Sequence, residues 1–221
     1  MTAWNLEGDN VQLYTFFNSS AAYRTRIACN LKGLSYEPIA IHLRKEGGLN
    51  RKPEYRAINP LMRVPTLRLA SGELLTQSLA IIENLEETHP QPPLLPRDAI
   101  KRAQVRAMAQ LIACDIHPLN NVAPLRYLKN ELGQDQDKID AWYHHWILEG
   151  FTALETMVAA SPYAAGADVT LADICVVPQV ANARRFKVPL DRFPKIVAID
   201  AACGKLDAFI KARPDKQPDA E

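Results

Sequence analysis

"FFNSSAAYRTRIACNLKG", Phe16 to Gly33, joins two patterns at Asn18-Ser19-Ser20. Upstream, Val11–Phe16 alternates apolar and polar residues as a strand does. Downstream, Ala21–Lys32 has helical spacing, with Gly33 suited to the residue after the helix end. Ser19 and Ser20 therefore stand at a helix start, where unpaired N–H groups and hydroxyls converge and anions bind well. The plain reading of Ser20 is a helix cap, and an anion-binding reading stands beside it. Arg24 and Arg26 are the oddity, because the positive end of a helix disfavours cations. Arg24 shares the inward face with Ile27, Ala28 and Leu31 and calls for an anion opposite. Arg26 points elsewhere and reads as a solvated charge.

The rest of the first ninety residues keeps this mixed texture. "YEPIAI" (36–41) reads as a second strand, with Pro38 marking a sheet edge because it lacks an N–H. "VPTLRLASGELL" (64–75) reads as two short strands turned at Ser71-Gly72. On base rates the Val64–Pro65 bond is trans. Ser78–Glu87 is helical, with Leu79, Ile82 and Leu85 at core spacing, and Gln77-Ser78 makes a second anion-friendly helix start. The order βαβ–ββα without GxGxxG fits a compact four-stranded α/β unit, not a dinucleotide-binding sheet.

"THPQPPLLPRDA" (88–99) holds four prolines and cannot continue a helix. It reads as a linker, placed at about 88–98, between an α/β domain over 1–88 and an all-helical domain over 89–221. Expected helices in the second half are Asp98–Leu128 (bent at Pro118), Lys138–Ala160, Thr170–Arg184 and Pro194–Ala212. Thr170 and Asp173 form a capping-box pattern.

Length and composition are those of a globular protein with a sizeable core: 221 residues, 48% hydrophobic and 23% charged. The formal net charge of +1 offers no general attraction to nucleic acid or anionic lipid. No apolar run reaches membrane-spanning length, and "MTAWNLEGDN" (1–10) has no apolar core of a signal peptide. The four cysteines, at 29, 114, 175 and 203, lack metal-ligand spacing and read as small buried hydrophobes in a reducing, cytoplasmic compartment. No metal site is expected.

"SSAAYRTRIA", "NPLMRVPTL", "QSLAIIENLEE", the proline-rich linker, "DIHPLNN", "TLADICVVPQVANARRFKV" and the closing "QPD" together resemble the zeta-class glutathione transferases. These include the maleylacetoacetate isomerases and the bacterial maleylpyruvate isomerases. The resemblance runs in order from about Leu13 to Asp219. It implies a thioredoxin-like glutathione-binding domain followed by an all-α domain that supplies the other wall, and a homodimer.

Residue by residue, the resemblance implies that Ser19 donates a hydrogen bond to the glutathione sulfur, with Ser20 beside it. Hydrogen bonding to a thiolate lowers a thiol pKa, and a helix start acts in the same direction. Amides of Ala21 and Ala22 complete that pocket. Val64 matches the residue before the family's cis-proline, and its main chain pairs with the cysteinyl backbone of glutathione, as an added strand would. Gln77 and Ser78 grip the γ-glutamyl carboxylate. Asn50 lies near a glutathione-touching position, His117 and Asn121 match ligand contacts, and Asp115 is a candidate for the γ-glutamyl ammonium. Arg24 faces the thiolate or a substrate carboxylate. Arg185, with Arg184 beside it, matches an arginine implicated in substrate binding, although arginines at a helix end also suit the dipole on their own account.

The implied reaction is glutathione-dependent cis–trans isomerisation of maleylacetoacetate or a close analogue such as maleylpyruvate, a small dicarboxylate. Two departures bear on it. The residue after the two serines is commonly cysteine or threonine and here is Ala21. The residue before them is often arginine and here is Asn18, which removes one counter-charge for a diacid. The alternative is conjugation or dehalogenation of small α-halo acids. A non-catalytic scaffold is the third reading, and the retained Ser19, Ser20, Gln77 and Ser78 oppose it.

Overall fold

The computed structural model describes residues 11–221, so the reading of residues 1–10 lies outside them. The chain forms two compact units. The boundary falls between Pro93 and Leu94, inside the proline-rich stretch, and Leu206–Glu221 returns to the first unit. This return departs from the expectation that everything after the linker belongs to the helical domain.

The first unit is built on a four-stranded sheet of order β2-β1-β3-β4, with β1 Gln12–Thr15, β2 Glu37–Ala40, β3 Thr66–Arg68 and β4 Leu74–Thr76. Strand β1 runs parallel to β2 and antiparallel to β3, with Leu13 opposite both Pro38 and Leu67. Strand β3 runs antiparallel to β4 through the turn at Ser71-Gly72. Pro38 sits on the edge strand, where a missing N–H leaves no ladder bond unmade. A parallel pair needs a crossover, supplied here by helix α1, Ser20–Leu31. A short helix α2, Pro53–Ile58, precedes β3, and α3, Ser78–Thr88, follows β4. In α3 the buried apolar residues are Ile81, Ile82 and Leu85, while Leu79 is half-buried.

The second unit is helical. Helix α4, Ala99–Gln110, runs into a wider π-type turn at Leu111–Ile116, and α5, Val122–Asn130, follows a break at 117–121. The single bent helix expected over 98–128 is therefore interrupted, because a π turn adds a residue to the ring before Pro118 removes a donor. Helices α6, Gln136–Met157, and α7, Leu171–Arg185, come next. The α7 start shows the expected capping box: Asp173 Oδ2 accepts from Thr170 N at 2.8 Å and Thr170 Oγ1 at 2.9 Å. Asp173 Oδ1 also accepts from Ala164 N at 2.7 Å. Helix α8, Pro194–Cys203, ends at Gly204, and a separate α9, Asp207–Ala212, packs in the first unit against α1. The continuous helix expected over 194–212 is two helices belonging to different units.

Cysteines 29, 175 and 203 are buried, whereas Cys114, in the π turn, is exposed. That overturns its reading as a core residue: the turn aims its side chain outward despite apolar neighbours in sequence. No helix among the described residues is long and apolar enough to cross a membrane.

Candidate active site

In the first unit, β1 leads through a tight turn into α1. Ser19 N donates to Phe16 O at 3.0 Å, and Ser19 adopts an extended backbone as the residue capping α1. Its Oγ accepts from Ala22 N at 3.2 Å, which leaves the hydroxyl proton to be donated elsewhere. Ser19 is the cap, and Ser20, buried, is the first helical residue, so the plain reading of Ser20 as the cap moves back by one position. The Ala22 amide, expected to line an anion pocket, is taken by Ser19. Ala21 follows as a half-buried residue of the first turn.

Both arginines of the opening stretch are core residues: Arg24 is 1% exposed and Arg26 is 0% exposed. Arg24 was expected to face a thiolate or substrate. Its Nη1 instead donates to Ser78 Oγ at 3.3 Å, beneath the start of α3, and its burial keeps it from meeting a substrate directly. Arg26, expected to be solvated, donates through Nε to Ala212 O at 3.0 Å. Its Nη1 serves Thr15 Oγ1 at 3.0 Å and Phe16 O at 3.4 Å, and its Nη2 serves Phe17 O at 3.0 Å. The face on which it lies is covered by α9, an element 186 residues away. Burial pulls its guanidinium down to about 10, against the opposing pull of Tyr36, Asp219 and Tyr23, so it stays charged at neutral pH. Two buried cations thus lie along the second turn of a helix whose first turn carries no acidic residue. The helix start at Ser19 is positive through its own unpaired amides, while Arg26 has the Asp219 carboxylate as an opposing charge.

The Val64–Pro65 bond is cis, contrary to the base-rate expectation and as the resemblance implies. Val64 is buried with Tyr14, Phe16 and Tyr55. Tyr55 Oη donates to Arg63 O at 2.8 Å, and Asn59 Nδ2 donates to the same carbonyl at 2.8 Å and to Thr66 Oγ1 at 3.0 Å, so both sides of Val64 are fixed. Burial pushes the Tyr55 phenol up to about 12, which keeps it a neutral donor. The N–H and C=O of Val64 itself have no partner among the described residues. Asn50 Nδ2 donates to Met62 O at 2.7 Å, bracing the same loop, while its buried Oδ1 has no partner among the described residues.

Gln77 is exposed and holds a left-handed backbone with φ 67°, uncommon for a residue with a Cβ. Among the described residues no side chain caps α3, so its first amides are open at the buried Ser78.

In the second unit, Asn121 caps α5 through Val122 N at 2.7 Å, and its Nδ2 lies 3.4 Å from His117 Nε2. Trp142 Nε1 donates to Leu119 O at 2.7 Å and holds this turn against α6. Asp115 is exposed on the π turn. At the end of α7, Arg184 is ion-paired with Asp200, which gives it a partner within its own unit. Arg185 is exposed, donates to Asn182 Oδ1 at 2.9 Å and lies over the Phe186 ring at 5.1 Å. Phe186 in turn stacks on Tyr143 at 3.8 Å.

Nothing in the sequence marks Arg26 or Tyr55 as supports of the site. "NPLMRVPT" carried the one available signal, an Asn placed to fold back over its own loop. Among the described residues no three His, Cys, Asp or Glu side chains converge as a metal would require.

The glutathione S-transferase N-terminal domain family matches residues 13–93. A maleylpyruvate isomerase from Ralstonia sp is 49% identical over 214 residues, covering 95% of this chain and 100% of the relative. A solved holo maleylpyruvate isomerase, described as a bacterial zeta-class glutathione transferase, is 48% identical, covers 95% of this chain and 100% of its own, and superposes with a TM-score of 0.91. A maleylacetoacetate isomerase from Anaeromyxobacter dehalogenans, solved with glutathione in its active site, is 40% identical with a TM-score of 0.87, covering 96% of this chain and 98% of its own.

Proposed function

The chain belongs to the zeta-class glutathione transferases, among the maleylacetoacetate and maleylpyruvate isomerases, and we propose that it is a glutathione-dependent cis–trans isomerase of maleylacetoacetate or a close analogue such as maleylpyruvate. The observation that carries the proposal is the capping serine. Ser19 offers a hydroxyl proton at a positive helix start, which is the setting that keeps a sulfur ionised.

The donors of the first unit suit glutathione. Val64 has an unpaired N–H and C=O for an extended peptide segment. The uncapped start of α3, with Gln77 and Ser78, suits an α-carboxylate, and Arg24 on Ser78 Oγ sharpens that hydroxyl as a donor. Asn50 adds a carbonyl oxygen with spare capacity. What glutathione contributes when bound is a soft thiolate that adds reversibly to the cis double bond, which then turns as a single bond before elimination restores it. Ser19 holds the sulfur in its nucleophilic form and takes back the hydrogen bond on elimination. Ala21, in place of a cysteine, leaves no protein thiol to divert that sulfur into a mixed disulfide. Asn18, in place of an arginine, shifts the neutralisation of a dicarboxylate elsewhere. Arg185, with Arg184 beside it, is the cation we assign to it, on the match to the family's substrate-binding arginine. His117 and Asn121 are assigned as ligand contacts of the same reading.

A homodimer is part of the same reading, on the family resemblance. A cytoplasmic setting is supported by four free cysteines.

The test is turnover. Maleylpyruvate or maleylacetoacetate is supplied in large excess over glutathione, the decay of the cis enone absorbance is followed, and free thiol is counted afterwards. Complete conversion with glutathione recovered is expected. Consumption of one glutathione per substrate, or halide release from a 2-halopropionate at a comparable rate, overturns isomerisation in favour of conjugation.

A further inference from the structure

The tail of the chain reaches the serine loop. Asp219 Oδ2 accepts from Phe17 N at 2.9 Å, across 202 residues of sequence, while Arg26 Nη2 donates to Phe17 O at 3.0 Å. The Phe17 residue is therefore held at both polar ends, by an anion and a cation, two positions before Ser19. The carbonyl of Phe16, which accepts the Ser19 amide, also accepts from Arg26 Nη1 at 3.4 Å. The tail itself is well anchored. Asn30 Nδ2 donates to Ala208 O at 2.8 Å, and Gln217 Nε2 donates to Lys211 O and Arg213 O at 2.9 and 2.8 Å. Beyond Asp219, Glu221 pairs with Lys45, and His42 Nε2 lies 3.3 Å from the same carboxylate.

We propose that Asp219 is a positioning residue for the reaction: by accepting the Phe17 N–H it fixes the turn that aims the Ser19 hydroxyl. This rests on the reading of Ser19 as the thiolate donor. Displacements of the order of 1 Å at a reacting group lower rates about a hundredfold, so a turn with a single-residue margin benefits from an anchor at each end. The C-terminal segment is thus part of the serine site as well as a cover for α1.

The sign of one measurement separates positioning from simple electrostatics. A carboxylate near a thiolate disfavours the ionised sulfur, so if Asp219 acted only through charge, its removal would lower the bound thiol's pKa. If it positions Ser19, removal loosens the hydroxyl and raises that pKa. The bound thiolate of glutathione is titrated by its ultraviolet absorbance in wild type, Asp219→Ala, Asp219→Asn and Glu221→Gln, with turnover measured alongside. For Asp219→Ala we expect a thiol pKa about one unit higher, about a tenfold smaller thiolate fraction below it, and a matching fall in kcat with little change in the glutathione requirement. Asp219→Asn keeps an acceptor oxygen and should sit at or below the wild-type pKa. Glu221→Gln, on the same tail, should match wild type. An unchanged or lowered pKa in Asp219→Ala overturns the role of Asp219. Where Asp219→Ala does not fold, Asp219→Ser, whose hydroxyl falls short of Phe17 N, carries the same expectation. A wild type that leaves the bound thiol at its solution pKa overturns the Ser19 reading itself, a separate outcome.

Discussion

Gly150→Ala probes how tightly the π turn is held. Gly150 is buried within α6, and a Cβ there would lie closer than 3.0 Å to both Cγ1 and Cδ1 of Ile116, yet 3.8 Å from Ile116 Cβ. Ile116 is 1% exposed and closes the π turn immediately before His117. Being β-branched, it has little rotamer freedom with which to escape. Carbon atoms settle at about 3.5–4.0 Å, so the new methyl must displace the turn or α6. Alanine in place of glycine stabilises a helix interior by about 1 kcal/mol. Overpacking costs about 1–3 kcal/mol, and with two atoms overlapped the upper end applies, so the net destabilisation is about 2 kcal/mol. Ile116→Ala alone leaves a cavity and costs about 2–5 kcal/mol. In the double variant the clashing atoms are gone and the new Cβ meets Cβ at ordinary contact distance, so the pair should fall short of additivity by about 3 kcal/mol. Urea unfolding of all four proteins, followed by circular dichroism and tryptophan fluorescence together, measures this. A Gly150→Ala variant as stable as wild type, or a double variant additive to within about 0.5 kcal/mol, would refute the close approach.

Three further outcomes are expected. Ser19→Ala should lower kcat/KM by about 10²–10³ through loss of one donor and stability by about 1 kcal/mol through loss of the cap, whereas Ser20→Ala should leave the bound thiol's titration unmoved; both are read by turnover and ultraviolet titration. His89 is held below its ordinary imidazole pKa by burial first and Lys32 second. The unfolded chain therefore takes up the proton more readily, stability falls as pH drops through about 6.5, and His89→Gln should flatten that slope in melts between pH 7.5 and 5.5. Cys114 alone is exposed, and burial pushes the Cys29 thiol up to about 12 and the Cys203 thiol higher. Ellman's reagent should find one fast-reacting thiol per native chain and four after denaturation; a second fast thiol would contradict the described packing.

What short segments can encode, the sequence announced. The strand–serine–helix junction, the hairpin at Ser71-Gly72, the edge strand marked by Pro38, the capping box at Thr170 and the proline-rich boundary are all local agreements between backbone preference and side-chain chemistry. The cap was legible only to within one position: a cap is a relation between residues three apart, Ser20 was expected to make it, and Ser19 does, through Ala22 N. Arg26 was not. Its acceptors are Thr15, Phe16 and Phe17 on one side and Ala212 on the other, and helical periodicity cannot show a charge as buried when its cover arrives from the far end of the chain. The same holds for the anchoring of Phe17 by Asp219 and for the division of the last helical run between two units at Gly204. In each case a buried polar group or an element boundary is decided by partners distant in sequence. Only the folded chain brings those partners within hydrogen-bonding range.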